Sequence, residues 1–248
     1  MREVKALTLH PFTQVMQITY YGHSCFGITT GGKHLLFDPF ISGNPLAKHV
    51  DVNTIPADYI LLSHAHNDHT ADALDIARRT GATVVGIWEI YAWATRNGIE
   101  NAHPMNIGGS KAFDFGTVTM TPAVHSSSFE DGTYGGSPAG FIVRTAEVCF
   151  YYAGDTALFS DMRLLGEQHA IDLAFLPIGD NFTMGAAEAA LAAEFIRCRQ
   201  IIGMHYDTFG FIKTDHAQAQ DAFSKRNSTL HLMQIGQTKQ FDKQQLFH

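Results

Sequence analysis

Four strand-like runs of this chain each break off at a side chain that can bind a metal. Ile60-Leu61-Leu62-Ser63 runs into His64, Phe150-Tyr151-Tyr152-Ala153-Gly154 into Asp155, and Ile201-Ile202-Gly203-Met204 into His205. The fourth, Val118-Thr119-Met120-Thr121-Pro122-Ala123-Val124, stops at His125. Runs that are apolar throughout, rather than alternating, belong to sheets covered on both faces. Loops at strand ends are where a rigid scaffold presents reactive groups. The pattern therefore predicts sheets with a cluster of histidines and aspartates along one edge.

The rest of the chain fills in that frame. Strand signals cover residues 16–21, 25–29, 34–37, 59–62, 82–87, 111–115, 117–124, 140–144, 148–153, 172–176 and 200–204, with a weak one at 230–235. Helical composition marks residues 72–80, 89–97, 160–168, 186–196 and 216–225, with Gly81 and Gly98 as stop signals. Strand-rich stretches in both halves, each followed by strand–helix alternation, predict an α/β sandwich: two mixed sheets packed together with helices outside. No linker divides the chain, so residues 16–248 are expected to form a single domain, with residues 1–15 as an N-terminal extension.

Composition narrows the function classes. At 248 residues with 45% hydrophobic content, the chain can bury a substantial core. Its formal net charge of -7 gives no basic footprint for nucleic acid. No apolar run approaches the length of a membrane span, and the first residues lack the apolar stretch of a secretory leader. Three cysteines, Cys25, Cys149 and Cys198, sit in apolar surroundings without a C-x-x-C pair. A reducing, cytoplasmic location is expected on that ground. The expected partner is a small-molecule substrate, and a homo-oligomer is left open.

The strongest local signal is His64-Ala65-His66-Asn67-Asp68-His69. Residues i and i+2 of an extended chain share a side, so His64 and His66 can converge on one ion. After a turn, Asp68 and His69 can face a second. The competing reading is a polar loop capping a helix at Asp68. Imidazole and carboxylate ligands suit zinc first, with manganese or iron as alternatives.

With these residues in order along it, the chain resembles the metallo-β-lactamase superfamily, over nearly its whole length from Met16. The resemblance implies a four-layer αββα sandwich and two divalent metal ions per chain. It implies that His64, His66 and His125 hold one ion, that Asp68, His69 and His205 hold the other, and that Asp155 bridges them. Tyr21-Gly22-His23-Ser24-Cys25, Leu36-Phe37-Asp38-Pro39 and the segment from Pro177 to Gly185 are similar to the L-ascorbate-phosphate-lactonase-like branch of metal-dependent hydrolases. Within that likeness His23 is a proton carrier or a hydrogen-bond donor to a metal ligand, or else a core histidine bonded to backbone. Asp38 orients a ligand histidine. Asn181 and Thr183 either touch substrate or organise a turn.

The resemblance further implies that a water activated between the two metals attacks a lactone or carboxylic ester of a small molecule, with Asp155, Asp68 and His23 as the catalytic side chains. A phosphodiesterase or phospholipase activity is the alternative hydrolase, and a metal-binding regulatory protein without turnover is the alternative from another class. An aspartate at the bridging position, where the best-known β-lactamases carry cysteine, weighs against antibiotic hydrolysis. The Ser- and Gly-rich loop over residues 125–139 is expected to cover the substrate with Phe129 and Tyr134, against the plainer reading of a mobile surface loop.

Overall fold

In the computed structural model, residues 15–242 are described; the expected extension falls outside them except for Val15. Two seven-stranded sheets make up the frame. The first contains β1 (Met16–Gly22), β2 (Cys25–Thr30), β3 (Lys33–Phe37), β4 (Tyr59–Leu61), β5 (Thr83–Ile87) and β6 (Ala102–Met105). The second contains β7 (Ser110–Phe113), β8 (Gly116–Pro122), β9 (Ala139–Arg144), β10 (Cys149–Tyr152), β11 (Leu173–Pro177), β12 (Gln200–Met204) and β13 (Thr229–His231). A last strand, β14 (Thr238–Phe241), returns to pair antiparallel with β1. Both sheets are mixed: β1 to β3 and β7 to β10 form antiparallel meanders, whereas β3 to β6 and β10 to β13 run parallel.

The sheets face each other through aromatic rings. Phe37 of the first packs on Phe141, Phe150 and Tyr152 of the second, and Phe26 packs edge-on against Phe175. Such pairs add about 0.5–1.5 kcal/mol each beyond the area they bury. Strands buried on both faces, such as β10 and β11, need helices on their outer side. On the first sheet these are α2 (Ala73–Thr80) and α3 (Trp88–Arg96), while the single turn α1 (Asn67–Thr70) carries Asp68 and His69 at the end of the sandwich. On the second they are α4 (Met162–Gln168), α5 (Ala186–Phe195) and α6 (His216–Ser224). The four-layer α/β sandwich expected from the sequence is the fold.

Two glycines set local turns, and the second aims the site. At the end of α2, Gly81 takes φ +74°, and its N–H closes the last turn on the Ala77 carbonyl. Beyond β10, Gly154 takes φ +62° where a Cβ would crowd the Ala139 carbonyl and Ser63, so only glycine lets the chain turn there and deliver Asp155 inward.

The sequence expectations miss two strands. β6 contains Pro104 and no strand signal marks it; it lies at the sheet edge, where a missing N–H costs nothing. β14 is largely polar, as an edge strand can be. The weak strand signal over residues 230–235 is real only as far as His231, after which the chain turns at Gly236 into β14.

Candidate metal centre

The four strand endings meet at one end of the sandwich. Ser63 to His69 follow β4, His125 follows β8, Asp155 follows β10 and His205 follows β12. Nitrogen or oxygen atoms of His64, His66 and His125 all lie within 4.8 Å of one another, and a second group of that kind joins His23, Asp68, His69 and His205. Asp155 stands between the groups. Its Oδ2 is 3.0 Å from His205 Nε2, 3.3 Å from His69 Nε2, 3.7 Å from His125 Nε2 and 3.9 Å from His64 Nε2. The structure thus brings all seven expected ligands together.

The chemistry of the set fits metal ions. Burial holds His64 far below the ordinary imidazole range, and it lowers His66 and His125 as well, so each presents a neutral ring with a lone pair. His69 behaves oppositely. Burial alone would lower it, but the carboxylates of Asp155, Asp38 and Asp68 raise it well above the usual value. The site therefore favours positive charge in a place shut off from water. Asp155 Oδ1 and His69 Nε2 are buried without a hydrogen-bond partner among the described residues. Groups left in that state cost about 1–3 kcal/mol unless a ligand satisfies them.

Around the ligands lies a fixed support. Asp38 is fully buried and accepts from Ser63 N at 2.8 Å, Ser63 Oγ at 2.5 Å, His69 Nδ1 at 2.8 Å and the Tyr152 hydroxyl at 2.8 Å. With its oxygens so engaged it orients His69 rather than binding an ion, as the sequence suggested. His23 is also fully buried. Its Nε2 is 3.1 Å from Asp68 Oδ2 and its Nδ1 is 3.0 Å from Thr208 Oγ1. Burial, reinforced by His205, pushes the His23 imidazole down to about 4, so the ring is neutral. Its single proton belongs on Nε2 facing the carboxylate, and Nδ1 accepts from Thr208. Burial would raise the Asp68 carboxyl, but His69 and His23 overcome it and hold Asp68 ionised.

His23, Asp38 and His205 all adopt positive φ, at 55°, 42° and 54°. Left-handed backbone at a non-glycine residue costs about 1–2 kcal/mol. Three such residues around one cluster mark it as a site the fold over-determines.

Other expectations are corrected. Phe129 does not cover the site: it is 8% exposed and stacked on Trp93 at 5.0 Å. Hydrogen bonds from Phe129 N to the Thr133 carbonyl and from Gly132 N to the Phe129 carbonyl make this stretch a tight turn, bridged between Ser128 and Tyr134. Tyr134 is exposed and is absent from the lining of the metal-side cavity. Buried area against Trp93, which local composition could not reveal, explains the order of this loop. Asn181 and Thr183 do not line the cavity either; Thr183 Oγ1 bonds the Met184 carbonyl, and both residues organise a turn. The residue between them, Phe182, does line it, with Phe209, Phe211, Ser126 and Thr208. Of these five only Phe182 lies in a motif segment the sequence singled out, between Pro177 and Gly185, and there its neighbours Asn181 and Thr183 were the residues marked.

Comparison with known proteins agrees with this geometry. The profile described as "Beta-lactamase superfamily domain" matches residues 33–206. The chain belongs to the metallo-β-lactamase superfamily. It is 49% identical over 223 residues to a "UPF0173 metal-dependent hydrolase" of Flavobacterium johnsoniae, covering 90% of this chain and 99% of that protein. A second so described, from Methylacidiphilum infernorum, is 50% identical over 89% of this chain and 97% of its own. Among solved structures, Igni18, a metallo hydrolase from the archaeon Ignicoccus hospitalis, matches with a TM-score of 0.83 at 35% identity, covering 92% of this chain and 99% of that one. The protein is a metal-dependent hydrolase of this superfamily.

Proposed function

We propose that the protein uses two divalent metal ions, zinc foremost, to hydrolyse a lactone or carboxylic ester of a small molecule. The observation that carries the two-metal reading is the Asp155 carboxylate, within 4 Å of histidines from both groups. His64, His66 and His125 would hold one ion, Asp68, His69 and His205 the other, and Asp155 both. Bound there, a metal pair supplies Lewis acidity and a water of lowered pKa.

The chain's own side chains do the rest. Asp38 holds the His69 ring through Nδ1, leaving Nε2 to face the cluster. Neutral His23 donates to Asp68 Oδ2 and so fixes the direction of that carboxylate. Thr208 in turn fixes the tautomer of His23. Asp155 is 2% exposed, so its charge acts in a site with little water to screen it.

Three buried free cysteines support the cytoplasmic location expected from the sequence. Among the described residues no helix is long and apolar enough to cross a membrane.

The test is elemental analysis of metal-replete protein together with a screen of lactones, acyl esters and phosphodiesters, with zinc and manganese supplied separately. Two ions per chain and turnover of lactones or esters are expected. One ion per chain would refute the pairing, and turnover confined to phosphodiesters would refute the substrate class.

A further inference from the structure

Above the metal cluster the cavity changes character. It has a volume of about 730 Å³, with the ligand side chains on one side and an outer wall built by Phe182, Phe209 and Phe211. Phe182 is 50% exposed and Phe211 78%, and their rings meet edge to face at 6.3 Å. Phe209 stands further in, edge-on to His23 at 5.4 Å.

These rings are held out rather than left loose. β11 and β12 run parallel with Pro177 opposite Met204, so the loops that follow them emerge side by side. In the first loop, Asp180 and Asn181 both take left-handed backbone, at φ 63° and 57°. Asp180 N bonds the Met184 carbonyl, and Gly179 bridges Gly185, which pinches the loop shut beneath Phe182. In the second, Phe211 lies in a 3-10 turn (Gly210–Ile212) anchored by fully buried Ile212. Lys213 Nζ and Thr214 N both bond Asp207 and close that loop at its base.

Two large apolar rings fixed in water beside a reactive cluster form a surface that gains by being covered. Among the described residues the lining contains no lysine or arginine to meet a charged headgroup or a polyphosphate. We propose that Phe182, Phe209 and Phe211 form the subsite for an apolar acyl or aryl substituent of the substrate, beside the cluster that takes the bond to be cleaved. The ester or lactone reading above is needed only for the identity of that bond. The wall itself selects a hydrocarbon group.

The test is isothermal titration of the metal-loaded protein with straight-chain carboxylates from acetate to octanoate. Each added methylene is expected to tighten binding by about two- to four-fold, the upper value being that for full burial. The double variant Phe182→Ser, Phe211→Ser is expected to flatten that dependence while keeping its metal content, since both rings are largely exposed. Equal affinity along the series, or the same dependence in the variant, overturns the subsite. Hydrolysis of acetyl to octanoyl esters is measured in parallel. No turnover with the chain-length dependence of binding intact supports the subsite and overturns the ester reading. Turnover with no length dependence in binding or rate overturns the subsite and leaves the ester reading standing.

Discussion

Removing the Asp38 carboxylate is the sharpest test of how the cluster is supported. Four donors converge on it, but they are not equivalent. The Ser63 hydroxyl can turn toward His64 Nδ1, 3.0 Å away, and the Tyr152 hydroxyl toward the Ser24 carbonyl at 2.8 Å. Among the described residues, Ser63 N–H and His69 Nδ1–H have no such alternative. Each buried donor left unpaired costs about 1–3 kcal/mol, so Asp38→Ala should lose about 2–6 kcal/mol. That is a large part of the roughly 5–15 kcal/mol that holds a domain together. Asp38→Asn is therefore the companion variant. It keeps one carbonyl oxygen, yet whichever way the amide turns, its NH2 faces at least one donor. About 1–3 kcal/mol of stability should go, together with about 10- to 100-fold in metal affinity as His69 loses its orientation. Urea unfolding of the metal-free protein reads the first, and competition with a chromophoric chelator reads the second. An asparagine variant as stable as wild type and with unchanged zinc affinity would refute the reasoning.

Asp155→Ala should bring metal content to below one ion per chain and lower kcat by at least about 10²-fold, checked by elemental analysis and an ester assay. If both ions remain, Asp155 does not join the two groups. Gly179→Ala would drive a Cβ into the His205 carbonyl oxygen, and displacing that ligand should cost about 10²-fold in kcat; wild-type kinetics would show that His205 does not need its present position. Phe129→Ala should destabilise the fold by about 3 kcal/mol through lost packing on Trp93, with KM unchanged. A shift in KM without loss of stability would restore Phe129 to the substrate site.

How much could be read from the sequence depended on distance along the chain. The ligands were legible because each one terminates a strand that is itself legible, so His125, Asp155 and His205 stood out beside the dense run from His64 to His69. Asp38 was legible through its motif, and its role followed from the fold. Thr208 and Ser126 were not, because a hydroxyl in a loop has no signature until its partner is known; theirs are His23 and His66, far away in sequence. Phe182, Phe209 and Phe211 were hidden for a related reason. They become a wall only because β11 and β12 lie next to each other in parallel. The converse error concerned Phe129, whose polar neighbours suggested a loose lid while Trp93 waited on α3 to bury it.

The ligands reach the cluster from both sheets, from position 64 in the first to position 205 in the second. No segment can gather them alone. Closing so long a stretch of chain costs entropy that must be met before the distant groups meet, so the full set assembles only once the two sheets have docked. Interactions absent from the folding transition state slow unfolding without speeding folding. Metal occupancy is therefore expected to lengthen the lifetime of the native protein rather than to speed the chain's arrival at it.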